Sequence, residues 1–448
     1  MDNKLYELTP SQEVICLQTK YTLYKRVVNI LFSATSEKEL DFNIMGKAFN
    51  LLVERNDSLR IRFIKKNKKL MQYFLNENKY ENIEIIKFNS KEEQESWINK
   101  KRKKAIKYLN GVVCEPYFIK TYDNKYMVFL KVCHLILDIY GLNIIFKDLF
   151  AIYNSLIKNE GLPICPTSYE EVVINDLKGK YNEKRHQENH DFFKKLLESK
   201  PEPYYVGING LNEPIIKKRH KKNKRAMQMF FINNDTVGYE YVIPSSLMEK
   251  VNTYCESNNI SLTNLLFYAC SLTASLLNEK KENVLHLQLC NRRSSMLEKH
   301  TAGCKVQSIG CYTEFDFTKS FLENINTFAI NQLSLYRRVG FPDIEFETLL
   351  HKIYPSNMLE TYYSITFSFI PYEKDEDIRY DIYSNEKGAL PCYLALLYDI
   401  NTKEVRMCYD CQSKIIKEKD VINFHKKYVD VLKQIIENEK ITLTEIKL

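Results

Sequence analysis

The chain has 448 residues, of which 44% are hydrophobic and 27% charged, and a formal net charge of +8. This balance excludes a disordered chain, and the length exceeds what one ordinary core fills, so two domains or subdomains are expected. The 12 cysteines are scattered and mostly flanked by apolar residues, which excludes a secreted disulfide scaffold.

Thr9-Pro10-Ser11-Gln12 starts a first helix, and Val27 to Phe32 reads as a strand. From Glu37 to Arg55 the apolar residues Leu40, Ile44, Met45, Ala48, Phe49, Leu52 and Val53 form a helical stripe. Leu59 to Ile64 alternates with the period of a strand, and Leu70 to Phe74 continues the sheet. A charged helix is expected over Glu92 to Lys107 and a strand over Tyr117 to Tyr122. Tyr126 to Val132 is an unbroken β-branched and aromatic run, read as a buried strand, and Leu142 to Ile157 is a helix. Pro163 to Pro203 is helical and densely charged. The polar stretch Glu213 to Lys224 sets the expected boundary between residues 1–212 and 213–448. Beyond it, strands are expected at Tyr239 to Ile243, Val284 to Leu289, Tyr363 to Phe369 and Tyr393 to Tyr398. Helices are expected at Ser245 to Asn258, Ser261 to Asn278 and Val421 to Asn438. The fold class is mixed α/β.

Between the buried strand and the next helix lies Cys133-His134-Leu135-Ile136-Leu137-Asp138-Ile139-Tyr140-Gly141. A histidine at the end of a buried strand can reach a cleft while its backbone stays fixed. An aspartate four residues on can turn back and hold the loop. This is the layout of a supported general base, as acyl transfer requires.

Other patterns point to no chemistry. Cys408-Tyr409-Asp410-Cys411 has no further ligands nearby and reads as part of a strand, so no metal is expected. His186 and His190 share a helical face, but the glutamate between them, Glu188, is not placed as in a zinc protease. The basic run Lys217 to Arg225 has no interleaved aromatics and reads as a solvated connector, so no nucleic-acid partner is expected. Met1 to Glu7 has no signal-peptide core and no apolar run is long enough to span a bilayer, so a cytoplasmic protein without a membrane is expected.

Several separated segments resemble one family, the condensation domains of nonribosomal peptide synthetases. Asp2 to Leu17, with Leu8-Thr9-Pro10-Ser11-Gln12, is similar to the family's opening. Arg55-Asn56-Asp57-Ser58-Leu59-Arg60-Ile61-Arg62-Phe63 resembles its Arg-His-x-x-Leu-Arg-Thr-x-Phe motif, with Asn56 in place of His and Ile61 in place of Thr. Cys133 to Asp138 falls on its His-His-x-x-x-Asp-Gly motif, with Cys133 for the first His and Ile139 for the Gly. Val284 to Arg293, Ile309-Gly310 and Gly340 to Phe346 resemble later motifs, so the resemblance covers nearly the whole chain and suggests a free-standing member.

The resemblance implies two chloramphenicol-acetyltransferase-like subdomains arranged as a V around a central tunnel. It implies that His134 is catalytic and that Asp138 is structural, paired with a buried arginine. Arg60 is the first candidate for that partner and Arg293 the second. Cys133, Ile139, Tyr140 and Gly141 would line the tunnel, and Gly141 would supply backbone freedom that Ile139 cannot. The reaction implied joins an acyl or aminoacyl group, carried as a phosphopantetheine thioester on a carrier protein, to an amine. The phosphopantetheine arm comes with the carrier, and no permanently bound cofactor or metal is expected. The partners would be carrier proteins and small-molecule substrates, and the chain a monomer. A catalytically silent carrier-docking protein, or an acyltransferase with a soluble acceptor or a coenzyme A donor, are the rival readings.

Overall fold

The computed structural model describes residues 4–20, 24–210, 225–229, 234–373 and 377–448. In chain order the elements are β1 (Tyr6–Glu7), α1 (Pro10–Lys20), β2 (Asn29–Ser36), α2 (Phe42–Arg55), β3 (Ile61–Lys66), β4 (Lys69–Phe74), β5 (Glu84–Lys87), α3 (Lys91–Lys103), β6 (Cys114–Lys120), β7 (Tyr126–Cys133), α4 (Ile139–Lys158), α5 (Tyr169–Lys180) and α6 (Glu183–Glu198). There follow β8 (Met227–Gln228), β9 (Thr236–Ile243), α7 (Ser245–Ser257), α8 (Leu262–Leu277), β10 (Asn283–Asn291), α9 (Met296–Lys299), β11 (Val306–Glu314), α10 (Phe321–Tyr336), α11 (Asp343–Ile353), β12 (Glu360–Thr361), β13 (Tyr363–Tyr372), β14 (Ile378–Tyr383), β15 (Cys392–Asp399), β16 (Val405–Gln412) and α12 (Glu418–Glu437).

The chain forms two compact units. The first is Met1–Asn182 with Asn291–Gln307 and Lys374–Asn385; the second is Glu183–Cys290, Ser308–Glu373 and Glu386–Leu448. The division differs from the linear cut at 212/213. A composition shift marks polar chain, whereas the units part where the cores part, so α6 joins the second unit and two short later segments join the first. The basic run falls, except for Arg225, outside the described residues.

The first unit is built on a sheet of order β14-β2-β7-β6-β5. Its helices α2 and α4 pack together through the stripes the sequence shows: Met45, Ala48, Phe49, Leu52 and Val53 on α2, and Leu142, Ile145, Phe146 and Leu149 on α4. Asp41 caps α2 by accepting the N–H groups of Asn43 and Ile44 at 2.8 and 3.2 Å. A smaller cluster, including Phe88, Ile98, Tyr117 and Phe129 with Trp97 of α3 against it, forms a separate apolar group in the same unit. Thus β7 is buried along nearly its whole length, including Lys131, whose ammonium donates to Glu115 Oε2 at 3.2 Å. Two strands begin later than the sequence suggests. Lys25–Val28 and Asp57–Arg60 are single 3-10 turns preceding β2 and β3. The second turn is pinned by Asp57, whose carboxylate accepts from Tyr169 N (2.8 Å), Glu170 N (3.1 Å) and Ser168 Oγ (2.6 Å) at the start of α5.

The second unit holds a sheet of order β11-β10-β13-β15-β16-β9, with α8, buried almost throughout, and the amphipathic α12 packed together. Gly310 lies where a Cβ would stand 2.6 Å from the Phe346 ring, so the Ile309-Gly310 pair marks a close approach. No single helix among the described residues is long and apolar enough to cross a membrane.

Asn291–Gln307 joins the first unit through contacts that only small residues allow. A Cβ on Gly303 would lie 2.2 Å from the ring of Tyr169, whose hydroxyl donates to Cys304 O at 2.9 Å. A Cβ on Gly141 would lie 2.7 Å from Gly303 O. Gly303→Ala is therefore expected to cost about 1–3 kcal/mol by overpacking, read as a lowered thermal midpoint, with an unchanged midpoint refuting the close packing.

Candidate active site

The site grows from the end of β7. Cys133 N–H donates to Val113 O and His134 N–H to Val28 O, at 2.8 and 2.7 Å, so the backbone is held on both sides as it leaves the sheet. The turn Leu135, Ile136 and Leu137 is fully buried. Leu135 O accepts from Gln12 Nε2 at 3.0 Å, and Gln12 is itself buried and bonded to Gln72 at 2.7 Å. A residue of the opening motif thus supports the loop that carries the histidine.

His134 is partly buried. Its Nδ1 lies 3.0 Å from Leu137 O. A carbonyl can only accept, so Nδ1 carries the proton and Nε2 keeps its lone pair. Burial lowers the imidazole pKa below the usual histidine value; its own backbone, the Asp138 charge and the Leu137 contact oppose that shift without cancelling it. The ring is therefore neutral near pH 7, with the Nε2 lone pair able to accept a proton.

Asp138 is the cap of α4. Its Oδ1 accepts from Gly141 N at 2.7 Å, its Oδ2 from Lys305 N at 2.7 Å, and the carboxylate takes both ends of the Arg293 guanidinium at 2.9 and 3.1 Å. Both side chains are buried, at 0% and 6% exposure, so this is a desolvated, bidentate pair. Arg293 also donates to Gly303 O (2.7 Å) and Asn291 Oδ1 (2.9 Å). Desolvation works against its charge, but the Asp138 carboxylate outweighs this and raises the guanidinium pKa above its ordinary value.

The arginine partner is therefore Arg293, not Arg60. Arg60 donates to Val53 O (2.7 Å), Glu54 O (2.5 Å) and Leu75 O (2.9 Å), closing the last turn of α2 onto the end of β4. It neutralises helix-end carbonyls, a role its position after α2 dictates. Asn56, where the family motif has His, donates to Asp148 Oδ2 at 3.0 Å and plays no part in the site. Ile139 needs no special backbone. It opens α4 and is absent from the positive-φ residues, so the conformation that favours glycine does not arise there. Gly141 is needed for close approach instead. Tyr140 is 39% exposed and its ring lies 4.6 Å from the Arg293 guanidinium, while its hydroxyl donates to Lys299 O at 3.4 Å. Cys133 is fully buried, and burial pushes its thiol up to about 12, which leaves no thiolate for nucleophilic attack. Gly303, Tyr169 and Lys305 carried no signal in the sequence, because each acts through a contact more than 130 positions away.

Cys408 and Cys411 lie on β16, and no group of three or more metal-ligating side chains occurs among the described residues. His186 Nε2 donates to Glu345 Oε1 at 3.0 Å, beside Phe341.

A neutral imidazole thus stands beside a buried aspartate–arginine pair at the junction of β7 and α4. The family model for the condensation domain matches residues 2–448, and the chain belongs to that family of amide-bond-forming acyltransferases. Over its whole length it is 19% identical to a plipastatin synthase chain and 20% identical to a surfactin synthase chain, both of Bacillus subtilis (strain 168). It spans 17% and 12% of those relatives' lengths. Among solved structures, a mutant of the starter condensation domain of rhizomide synthetase in complex with C8-CoA matches with a TM-score of 0.83 at 13% identity, covering 99% of this chain and 98% of that one. The first condensation domain of the calcium-dependent antibiotic synthetase, in complex with a substrate analogue, matches with a TM-score of 0.78 at 12% identity and 99% coverage of each chain. The mixed α/β architecture is thus that of condensation domains.

Removing Arg293 leaves a buried carboxylate without its counter-ion. Arg293→Met is expected to cost about 3–5 kcal/mol, and Arg60→Met about 1–2 kcal/mol. Urea unfolding midpoints separate the two, and Asp138→Asn placed on Arg293→Met recovers part of the loss. Equal costs for the two single variants would contradict the pairing.

Proposed function

We propose that this chain transfers an acyl or aminoacyl group from a phosphopantetheine thioester on a carrier protein to an amine, with His134 as the base. The observation that carries this is the bond from Nδ1 to Leu137 O. It fixes the tautomer, leaves Nε2 unprotonated and aims it by a main-chain atom rather than by a mobile side chain.

The step balances simply. The amine nitrogen attacks the thioester carbonyl, the new C–N bond forms, the C–S bond breaks, and the proton leaves nitrogen to Nε2 before passing to the departing thiolate. Asp138 takes no proton; it holds the start of α4 and hence the turn. The C8-CoA bound by the rhizomide domain bears the same phosphopantetheine arm, which supports a donor of this chemistry. Cytoplasmic work as a monomer, beside separate or linked carriers, accords with this reading.

His134→Ala is expected to lower turnover by roughly 10²–10⁴-fold, measured by intact-protein mass spectrometry of an acyl-loaded carrier with a panel of amines and amine-loaded carriers. In the native protein, rate depends on neutral imidazole. Because burial lowers the His134 pKa, the acid limb of the rate profile should fall below the ordinary value of about 6.5, with a plateau through neutral pH. A limb above that value, or full turnover in the variant, would remove His134 as the base.

A further inference from the structure

Lys305 is a buried lysine of the first unit. Its side chain is 2% exposed, yet a lysine is among the residues least often fully buried. Nζ donates to Asp176 Oδ1 of α5 and to Glu298 Oε1 of α9, both at 2.8 Å. Arg292 approaches the same Asp176 oxygen at 3.6 Å. Both acceptors are anchored. The start of α5 is fixed by Asp57, and Glu298 closes a capping box on Ser295. Burial works against ionisation of Glu298, but the Lys305 ammonium and the N–H groups of Ser294 and Ser295 outweigh it and bring its pKa down to about 2. The main-chain N–H of the same lysine donates to Asp138 Oδ2 at 2.7 Å.

A buried ion triad is a poor way to gain stability, since apolar residues of similar volume often do as well or better. What an ammonium between two fixed carboxylates does provide is a defined place for its own backbone. We propose that Lys305 is a positioning residue for His134: its clamped ammonium holds the main-chain N–H that orients the Asp138 carboxylate, and through the start of α4 the turn that aims the imidazole. This rests on the reading of His134 as the base.

The test uses the full chain labelled with ¹⁵N at histidine, whose two-bond correlations report the tautomer of each imidazole; His134→Gln identifies the His134 signals. Three variants are compared: Lys305→Arg, Lys305→Met, and Lys305→Met with Asp176→Asn and Glu298→Gln, which removes the ammonium together with both carboxylates that clamp it. The triple variant should melt near the native temperature yet show a mixture of His134 tautomers. Its turnover should fall on the order of tenfold, with KM changed by less than about twofold. Lys305→Arg should keep the native tautomer and most of the turnover. A triple variant with the native tautomer would overturn the proposal. So would Lys305→Arg behaving like Lys305→Met at equal melting temperature, a comparison that holds even if the triple variant does not fold. The tautomer is read without substrate, so a failure of the acyl-transfer reading would show as absent turnover with the tautomer shift intact.

Discussion

The first unit depends on one carboxylate. Asp138 sits where a strand, a turn and a helix meet, and it accepts four hydrogen bonds: one from α4, two from Arg293 and one from Lys305. Burying this charge would be costly alone, but here the start of a helix, a guanidinium and a main-chain N–H all meet it. Two of those donors come from Asn291–Gln307, so the carboxylate also fastens a distant stretch of chain to the unit. Once Asp138 is fixed, the start of α4 is fixed. The buried turn Leu135–Leu137 then has no freedom, and Leu137 O stands where Nδ1 of His134 must meet it. Geometry at the imidazole is thus inherited from electrostatics several bonds away.

The periodic elements were legible because their residues answer to local burial. The stripes of α2 and α4, the apolar run of β7 and the histidine at its end all follow from spacing along a single segment. The partner of Asp138 was not legible in this way. Arg60 stands in a familiar motif and Arg293 in a looser one, and nothing in one dimension tells which guanidinium faces the carboxylate. What decides is that the end of α2 leaves carbonyls that claim Arg60. The concern over Ile139 failed for a related reason. A motif glycine suggests an unusual backbone, but here the constraint is proximity, and it has moved two residues on to Gly141, opposite Gly303.

The second unit shows how much of this frame is backbone and how much is chemistry. β16 ends in the same way as β7: Gln412 N–H donates to Pro391 O, Ser413 N–H to Asp235 O, and Ile415 N–H to Gln412 O, at 2.8, 2.9 and 3.0 Å. In the first unit Cys133, His134 and Ile136 make the equivalent bonds to Val113, Val28 and Cys133. The residues before the following helices have near-equal φ, −105° at Asp138 and −104° at Lys417. Ser413 therefore occupies the place of His134, and Lys417 that of Asp138. The turn closes with neither an imidazole nor a buried carboxylate, since Lys417 Nζ simply donates to Ser413 O at 2.6 Å. A strand–turn–helix of this shape needs no buried ion pair to fold. The desolvated Asp138–Arg293 pair is thus more than the backbone demands, and what the first unit has in addition is an imidazole held with Nε2 unprotonated.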